Sequence, residues 1–353
     1  MPKPLAKPHI TDLTKRELVS WLEAQNIAPF RATQIFHWIF NAQTDDFSAM
    51  TNIKKEIRSL LAEHFTIGRL TVKTVETSRD GSKKYLFELA DGNLIESVLI
   101  PGATHDTLCI SSQVGCAQGC RFCLTAQSGF IRNLSAGEIL AQVRDIRNTL
   151  PPDHPLTNIV LMGMGEPLAN YENVTAALQT LTDSDAGLGF SPRRITLSTA
   201  GLVPKLTDLG RESQVNLAIS LNATDNETRS ALMPINRKYP IETLLAACRH
   251  YPLPPRRKLT FEYILIDGLN DSPVNAKQLA TLLRPIKAKI NLIPFNPHDG
   301  SDFKRPAEQT VFKFQKILQD ADYTTIIRQS KGTDISAACG QLQAKASIRA
   351  KTA

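Results

Sequence analysis

The chain has 353 residues, 42% of them hydrophobic and 21% charged, with a formal net charge of +7. That length can bury a substantial core and form more than one domain. No apolar run reaches about 18 residues and the start has no apolar segment of signal-peptide length, which argues against a membrane or secreted protein. Six cysteines are too few for a disulfide scaffold, and three of them crowd into positions 116–123, so a cytoplasmic metal or redox site is the better reading.

Taken in chain order, residues 1–66 read as a small helical module. Leu18, Trp21 and Leu22, then the apolar positions of 35–40 and 53–61, recur at helical spacing. From Arg69 the period changes to two, and Asp-Gly pairs at 80–81 and 91–92 mark turns, so 67–104 read as a short antiparallel β meander. Residues 105–330 alternate strand and helix. Strands are expected at 107–112, 157–162, 193–198, 215–221, 258–266, 289–294 and 323–328, and the clearest helix opens at Ser135 and Glu138, which have capping-box spacing. No GxGxxG follows the first strand, so the pattern favours a full or partial α/β barrel of about six units over a dinucleotide-binding fold. Residues 331–353 read as a C-terminal loop and tail, and the ends, 1–10 and 341–353, look loosely ordered.

The most specific signal is Cys116-Ala-Gln-Gly-Cys120-Arg-Phe-Cys123, just beyond the first barrel strand, where active-site loops of such barrels lie. Gly115 and Gly119 let the backbone wrap a metal centre. Three thiolates on a four-iron cluster leave one iron open to a small molecule. The alternative is a zinc site completed by His105 or another residue, although the second CxxC pair common in zinc sites is absent.

CxxxCxxC with an aromatic before the last cysteine is similar to the radical S-adenosylmethionine signature. The stretches CISSQVGC (109–116), GFIRNL (129–134), MGMGEP (162–167), TLSTAG (196–201), NLIPFNP (291–297) and DISAACGQL (334–342) carry the likeness further. Together they resemble the RlmN/Cfr family of RNA adenosine methyltransferases, from about residue 11 to 342. The resemblance implies a partial (β/α)6 radical SAM barrel, a 4Fe-4S cluster on Cys116, Cys120 and Cys123, and two molecules of S-adenosylmethionine per turnover. It also implies cofactor contacts at Gly165, Glu166, Ser198, Ser220, Leu221, Asn222 and Asn296. Each of these alone reads as a cap or turn former. Family members often have His where this chain has Asn222, which removes a titratable group.

By the same resemblance Cys339 carries a methyl group as S-methylcysteine, Cys109 resolves the covalent RNA adduct by forming a disulfide with Cys339, and Glu96 is the proton acceptor. The bland readings are a small buried hydrophobe for a lone cysteine, which suits Cys248, and a solvent-facing strand residue for Glu96. The implied reaction is methylation of carbon-2 of an adenosine in 23S rRNA and of the adenosine 3′ of the anticodon in some tRNAs. Carbon-8 methylation of the same ribosomal adenosine is the close alternative, and a non-catalytic metal-containing RNA-binding protein the distant one. An electron donor such as flavodoxin or ferredoxin is implied, and a monomer is expected.

Positive charge clusters at Arg193–Arg194, Arg237–Lys238, Arg256–Lys258, Arg284 with Lys287 and Lys289, and Lys345, Arg349 and Lys351. RNA would suit such a surface, as would plain solvation. The helical module, with Lys54, Lys55 and Arg58, and these clusters are the candidates for holding RNA.

Overall fold

The protein was analysed as a computed structural model, in which residues 7–151, 154–298 and 300–344 are described. Three helices, α1 (Lys15–Ala24), α2 (Arg31–Phe40) and α3 (Lys55–His64), form the first part of the chain. α1 starts where Thr14 and Glu17 cap each other reciprocally, and α2 buries Ile35, Phe36, Ile39 and Phe40 along one face. Ile10 has no exposed surface, and Asp12 accepts a 2.9 Å hydrogen bond from the Gly137 N–H at the start of a barrel helix. The inner residues of both expected loose ends are therefore packed, since Gln341 and Leu342 are buried too. Lys345, Arg349 and Lys351 lie outside the described residues.

Three antiparallel strands follow, β1 (Thr71–Thr77), β2 (Lys83–Glu88) and β3 (Leu94–Pro101), joined through the two Asp-Gly turns. They are not a separate sheet. β3 pairs with β4 (Asp106–Cys109), and the sheet continues in parallel through β7 (Leu156–Leu161), β8 (Ile195–Thr199), β9 (Asn216–Ser220), β10 (Leu259–Leu265), β11 (Ala288–Pro294) and β12 (Thr325–Ile327). A small side hairpin, β5 (Gln113–Gly115) with β6 (Phe130–Asn133), flanks the one-turn helix α4 (Leu124–Gln127). The crossover helices are α5 (Ala136–Arg147), α6 (Tyr171–Thr182), α7 (Leu206–Glu212), α8 (Asn226–Leu232) with α9 (Ile241–Arg249), α10 (Pro273–Leu283) and α11 (Glu308–Asp320). The capping box expected at Ser135 and Glu138 opens α5.

The strands alternate between two environments. Ile195, Leu197, Leu217, Ile219, Leu259, Phe261, Ile290 and Leu292 are fully buried, or nearly so, in the main apolar core. Each such burial is worth about 1.5–3 kcal/mol against exposure. Ser198, Ser220, Glu262 and Asn291 occupy the other phase, and Glu262 lies level with Ser220 on one neighbouring strand and Asn291 on the other.

The barrel is partial, because β12 and β1 are the two edges of the sheet. The segment after β12 returns to the meander. Lys331 donates from Nζ to the Pro101 carbonyl at 2.9 Å, the Gly332 N–H to Asp80 at 2.7 Å, and the Ser78 hydroxyl to Asp334 at 2.5 Å. These bonds carry residues 331–344 across the carboxyl ends of the strands, and with them Cys339.

Candidate active site

A cleft of about 850 Å³, counting the part open to solvent, lies at the carboxyl ends of β7 to β10. Cys116, Cys120 and Cys123 line it from the loop between β5 and α4. That loop is shaped by Gly115, whose φ is +75° and whose Cβ, if it had one, would sit 2.0 Å from the Gly129 carbonyl oxygen. All three thiols are free. Burial pushes the Cys116 thiol up to about 12, with Cys123 and Glu166 adding to the effect, and pushes Cys120 well above the ordinary range. Among the described residues no three His, Cys, Asp or Glu side chains converge tightly enough to hold one metal ion. In a cluster each thiolate takes its own iron, and the three-cysteine loop lacks the second CxxC pair common in zinc sites, so the donor set fits a polynuclear centre.

Around the cysteines stand most of the other expected residues. Gly165, Glu166, Ser198, Ser220 and Asn222 all line the cleft. Gly165 has φ +105°, and a Cβ there would lie 2.6 Å from Gln113 Cβ, so only glycine fits. Glu166 is almost fully buried, and its carboxylate accepts the Leu168 N–H at 3.1 Å and the Ala200 N–H at 2.7 Å. Burial raises its pKa, and these N–H groups oppose the rise. An ammonium group placed beside it would be paired with a carboxylate already fixed in direction.

Asn222 adopts φ +60°, a left-handed conformation that asparagine tolerates. Its amide is engaged within the protein: Oδ1 accepts the Ile264 N–H at 2.8 Å, and Nδ2 lies 3.2 Å from the Met233 sulfur. Leu221 sits with its side chain in the core and offers the cleft no side-chain group. Asn296 reaches the cleft wall through Cys339, donating from Nδ2 to the Cys339 carbonyl at 3.2 Å. Its Oδ1 is buried and has no hydrogen-bond partner among the described residues, an open acceptor consistent with a bound ligand.

Cys339 borders the cleft and also a second cavity, whose lining includes Cys109, Val160, Arg328 and Leu342. Its accessible surface borders these two cavities. Its loop is anchored by the Leu124 N–H on the Gly340 carbonyl at 2.8 Å and by the Thr125 hydroxyl on the Leu342 carbonyl at 2.6 Å. Cys109 ends β4, with its thiol pushed up to about 12 by burial and by the nearby Cys339. Glu96 is elsewhere: its carboxylate pairs with Lys84 at 3.3 Å and accepts the Gln343 N–H at 2.9 Å, and it lines neither cavity.

Two residues were missed from sequence. Glu262 lines the cleft with one oxygen held by Asn291 Nδ2 at 2.8 Å and the other buried without a hydrogen-bond partner among the described residues. Arg229 has no exposed surface and donates to the carbonyls of Leu221, Ala200 and Ser220 and to Asn236, tying together strand ends that carry cofactor candidates.

Comparison with known proteins agrees with this geometry. The model of the ribosomal RNA large subunit methyltransferase N-terminal domain matches residues 9–67, and that of the radical SAM superfamily matches 110–279. A dual-specificity RNA methyltransferase RlmN of Desulfosudis oleivorans is 60% identical over 95% of this chain and 90% of its own length. This chain belongs to the RlmN family. A second RlmN, from Syntrophobacter fumaroxidans, is 52% identical over 95% of this chain and 98% of its own. The crystal structure of a radical SAM methyltransferase from Sphaerobacter thermophilus superposes with a TM-score of 0.88 at 45% identity, covering 96% of this chain and all of that one. As an RlmN-family member the chain is a radical SAM enzyme, with a 4Fe-4S cluster and S-adenosylmethionine as its cofactors.

Proposed function

We propose that this chain methylates carbon-2 of an adenosine in 23S rRNA, and of the adenosine 3′ of the anticodon in some tRNAs, through a methyl group carried on Cys339. The observation that supports this most is the place of Cys339 in the wall between two cavities. One holds the three-cysteine loop and the polar strand ends, and the other holds Cys109. A carrier thiol needs both faces, one for loading and one for release.

The cluster and S-adenosylmethionine would supply methyl groups and radical chemistry, which an unreactive ring carbon requires. Cys116, Cys120 and Cys123 would hold the cluster, and Glu166, Ser198, Ser220 and Asn296 would orient the S-adenosylmethionine. Glu262, with its unpaired oxygen, offers an acceptor to a hydroxyl or amino group of a ligand. Cys339 would take the methyl group on sulfur; after loss of one hydrogen from it, that carbon bonds to the base and links it to Cys339 until Cys109 attacks the sulfur, which breaks the sulfur–carbon bond, frees the methylated base and leaves a Cys109–Cys339 disulfide for a reductant to open. Glu96 would be the acceptor of the proton lost by the base, by family resemblance; in this structure it lies outside both cavities, paired with Lys84 and anchoring Gln343. The reaction runs in the cytoplasm, with a flavodoxin or ferredoxin as electron donor and the enzyme as a monomer. Nucleosides from RNA treated anaerobically with the enzyme and S-adenosylmethionine should contain 2-methyladenosine by mass spectrometry; 8-methyladenosine would assign the enzyme to the carbon-8 reaction instead.

The target adenosine must leave its stack to reach Cys339, so useful phosphate contacts lie around the mouth of the barrel. Arg193–Arg194, Arg256–Lys258 and Lys287 immediately precede β8, β10 and β11, at the opposite end from the cleft. Arg237 and Lys238 are different. They follow Pro234, which approaches Gly119 of the cysteine loop, and both are exposed. In the helical module Lys54 and Lys55 are exposed, whereas Arg58 is occupied by the Ser48 carbonyl. Reversing the charges of Arg237 and Lys238 should weaken RNA binding and flatten its salt dependence, by about 0.7–0.9 in slope for each phosphate no longer neutralised. Reversing Arg193 and Arg194 should change neither; equal losses from both pairs would rule out this orientation of the RNA.

A further inference from the structure

Arg229, on α8, is the one arginine in the site region that never reaches solvent. Its Nε donates to the Leu221 carbonyl at 3.0 Å, Nη1 to Asn236 Oδ1 at 3.0 Å, and Nη2 to the carbonyls of Ala200 at 2.8 Å and Ser220 at 3.2 Å. Every partner is neutral. These bonds engage every guanidinium nitrogen and four of its five N–H groups but leave its charge uncompensated in an apolar setting, a state that costs several kcal/mol unless an anion lies near. Among the described residues Arg229 forms no ion pair. The Glu166 carboxylate meets Ala200 at its N–H, while Arg229 meets that residue at its carbonyl.

The groups whose charge Arg229 does feel are the thiols of Cys120 and Cys248. Cys248 is an apolar-helix cysteine with only 2% of its surface exposed, held neutral by burial. Cys120 belongs to the three-cysteine loop, and that loop leans on the Arg229 helix, because the Arg121 N–H donates to the Leu232 carbonyl at 3.0 Å. Cys120 also packs with Leu232, Met233 and Ala200 in one small apolar cluster. A cluster held by three thiolates is anionic, and taking up one electron makes it more so, with no proton transferred.

We propose that Arg229 is the built-in counter-charge of the cluster on Cys116, Cys120 and Cys123, and that it makes this cluster easier to reduce. The inference rests on the cluster assigned above. Burial lowers the Arg229 pKa only to about 10, so the guanidinium stays charged at neutral pH. Removing its charge leaves the electron less stabilised, while its hydrogen bonds position the strand ends in either redox state.

The test is a redox titration of the reconstituted holoenzyme, followed by the electron paramagnetic resonance signal of the reduced cluster, for wild type, Arg229→Gln, Arg229→Lys and Cys248→Ala. Arg229→Gln should lower the ratio of reduced to oxidised cluster at a fixed potential by about tenfold, equivalent to about 59 mV for a one-electron couple. Arg229→Lys, which keeps the charge, should recover most of that, and Cys248→Ala should match wild type. A second measurement covers poor cluster uptake. Thermal melts with and without the cluster should show Arg229→Gln costing the holoprotein more than the chelator-stripped protein, a folded variant that loses its cluster counting as the extreme of that result. An unchanged potential at full iron content, or equal losses of melting temperature in both forms, would reduce Arg229 to a hydrogen-bonding brace. Wild-type protein that takes up no iron would instead overturn the cluster reading.

Discussion

Replacing any one of Cys116, Cys120 or Cys123 by Ala is expected to abolish iron and sulfide binding, and reductive cleavage of S-adenosylmethionine with it. Wild type reconstituted without oxygen should hold about four irons and four sulfides. The size of the effect follows from how poorly these thiols ionise alone. Burial and mutual repulsion push Cys116 up to about 12 and Cys120 well above the ordinary thiol range, so metal must displace the protons, and it does so only if all three sulfurs gain a bond. Two remaining thiols give an incomplete set that does not repay the desolvation of two thiolates. Cys248→Ala, in the apolar face of α9, should leave iron content untouched. Stoichiometric zinc in a fully active preparation would refute the cluster.

Cys339→Ala should be as damaging to RNA methylation while sparing the cluster. Cys339 lies in the returning C-terminal segment, held by backbone bonds from Leu124 and by Asn296, and none of these needs its sulfur. Iron content, reduction of the cluster and cleavage of S-adenosylmethionine should therefore stay near wild type while methyladenosine falls below detection. A drop in all of these together would mean that the residue supports the fold rather than carries the methyl group.

How much of this was legible in the sequence depends on the kind of signal. The seven parallel strands emerged within two or three residues of their bounds, because apolar residues facing the crossover helices alternate with residues facing the barrel interior. The capping box of α5 was equally plain. The β5–β6 hairpin was not, since its strands are only three and four residues long and two of its apolar residues, Phe130 and Ile131, are exposed. Glu262 was hidden for a related reason: a carboxylate alternating with apolar residues reads as solvent-facing, and only closure of the sheet turns that face into a cleft. Arg229 looked like an ordinary helix-surface cation next to Asn226 and Glu227. The side of the barrel on which each basic cluster falls was available and overlooked. Arg193–Arg194, Arg256–Lys258 and Lys287 directly precede strands, which puts them at the amino ends.

The division of labour between Cys339 and Cys109 is tested most directly by trapping the reaction halfway. Cys109→Ala keeps the carrier and the cluster but removes the thiol that lines the second cavity beside Cys339. Incubated anaerobically with S-adenosylmethionine, reductant and RNA, it should accumulate a protein–RNA species that survives denaturation and collapses on ribonuclease treatment. Peptide mass spectrometry should then find the residual adenosine bonded through one carbon to the sulfur of Cys339. Normal turnover by Cys109→Ala, or an adduct on any residue other than Cys339, would contradict the account.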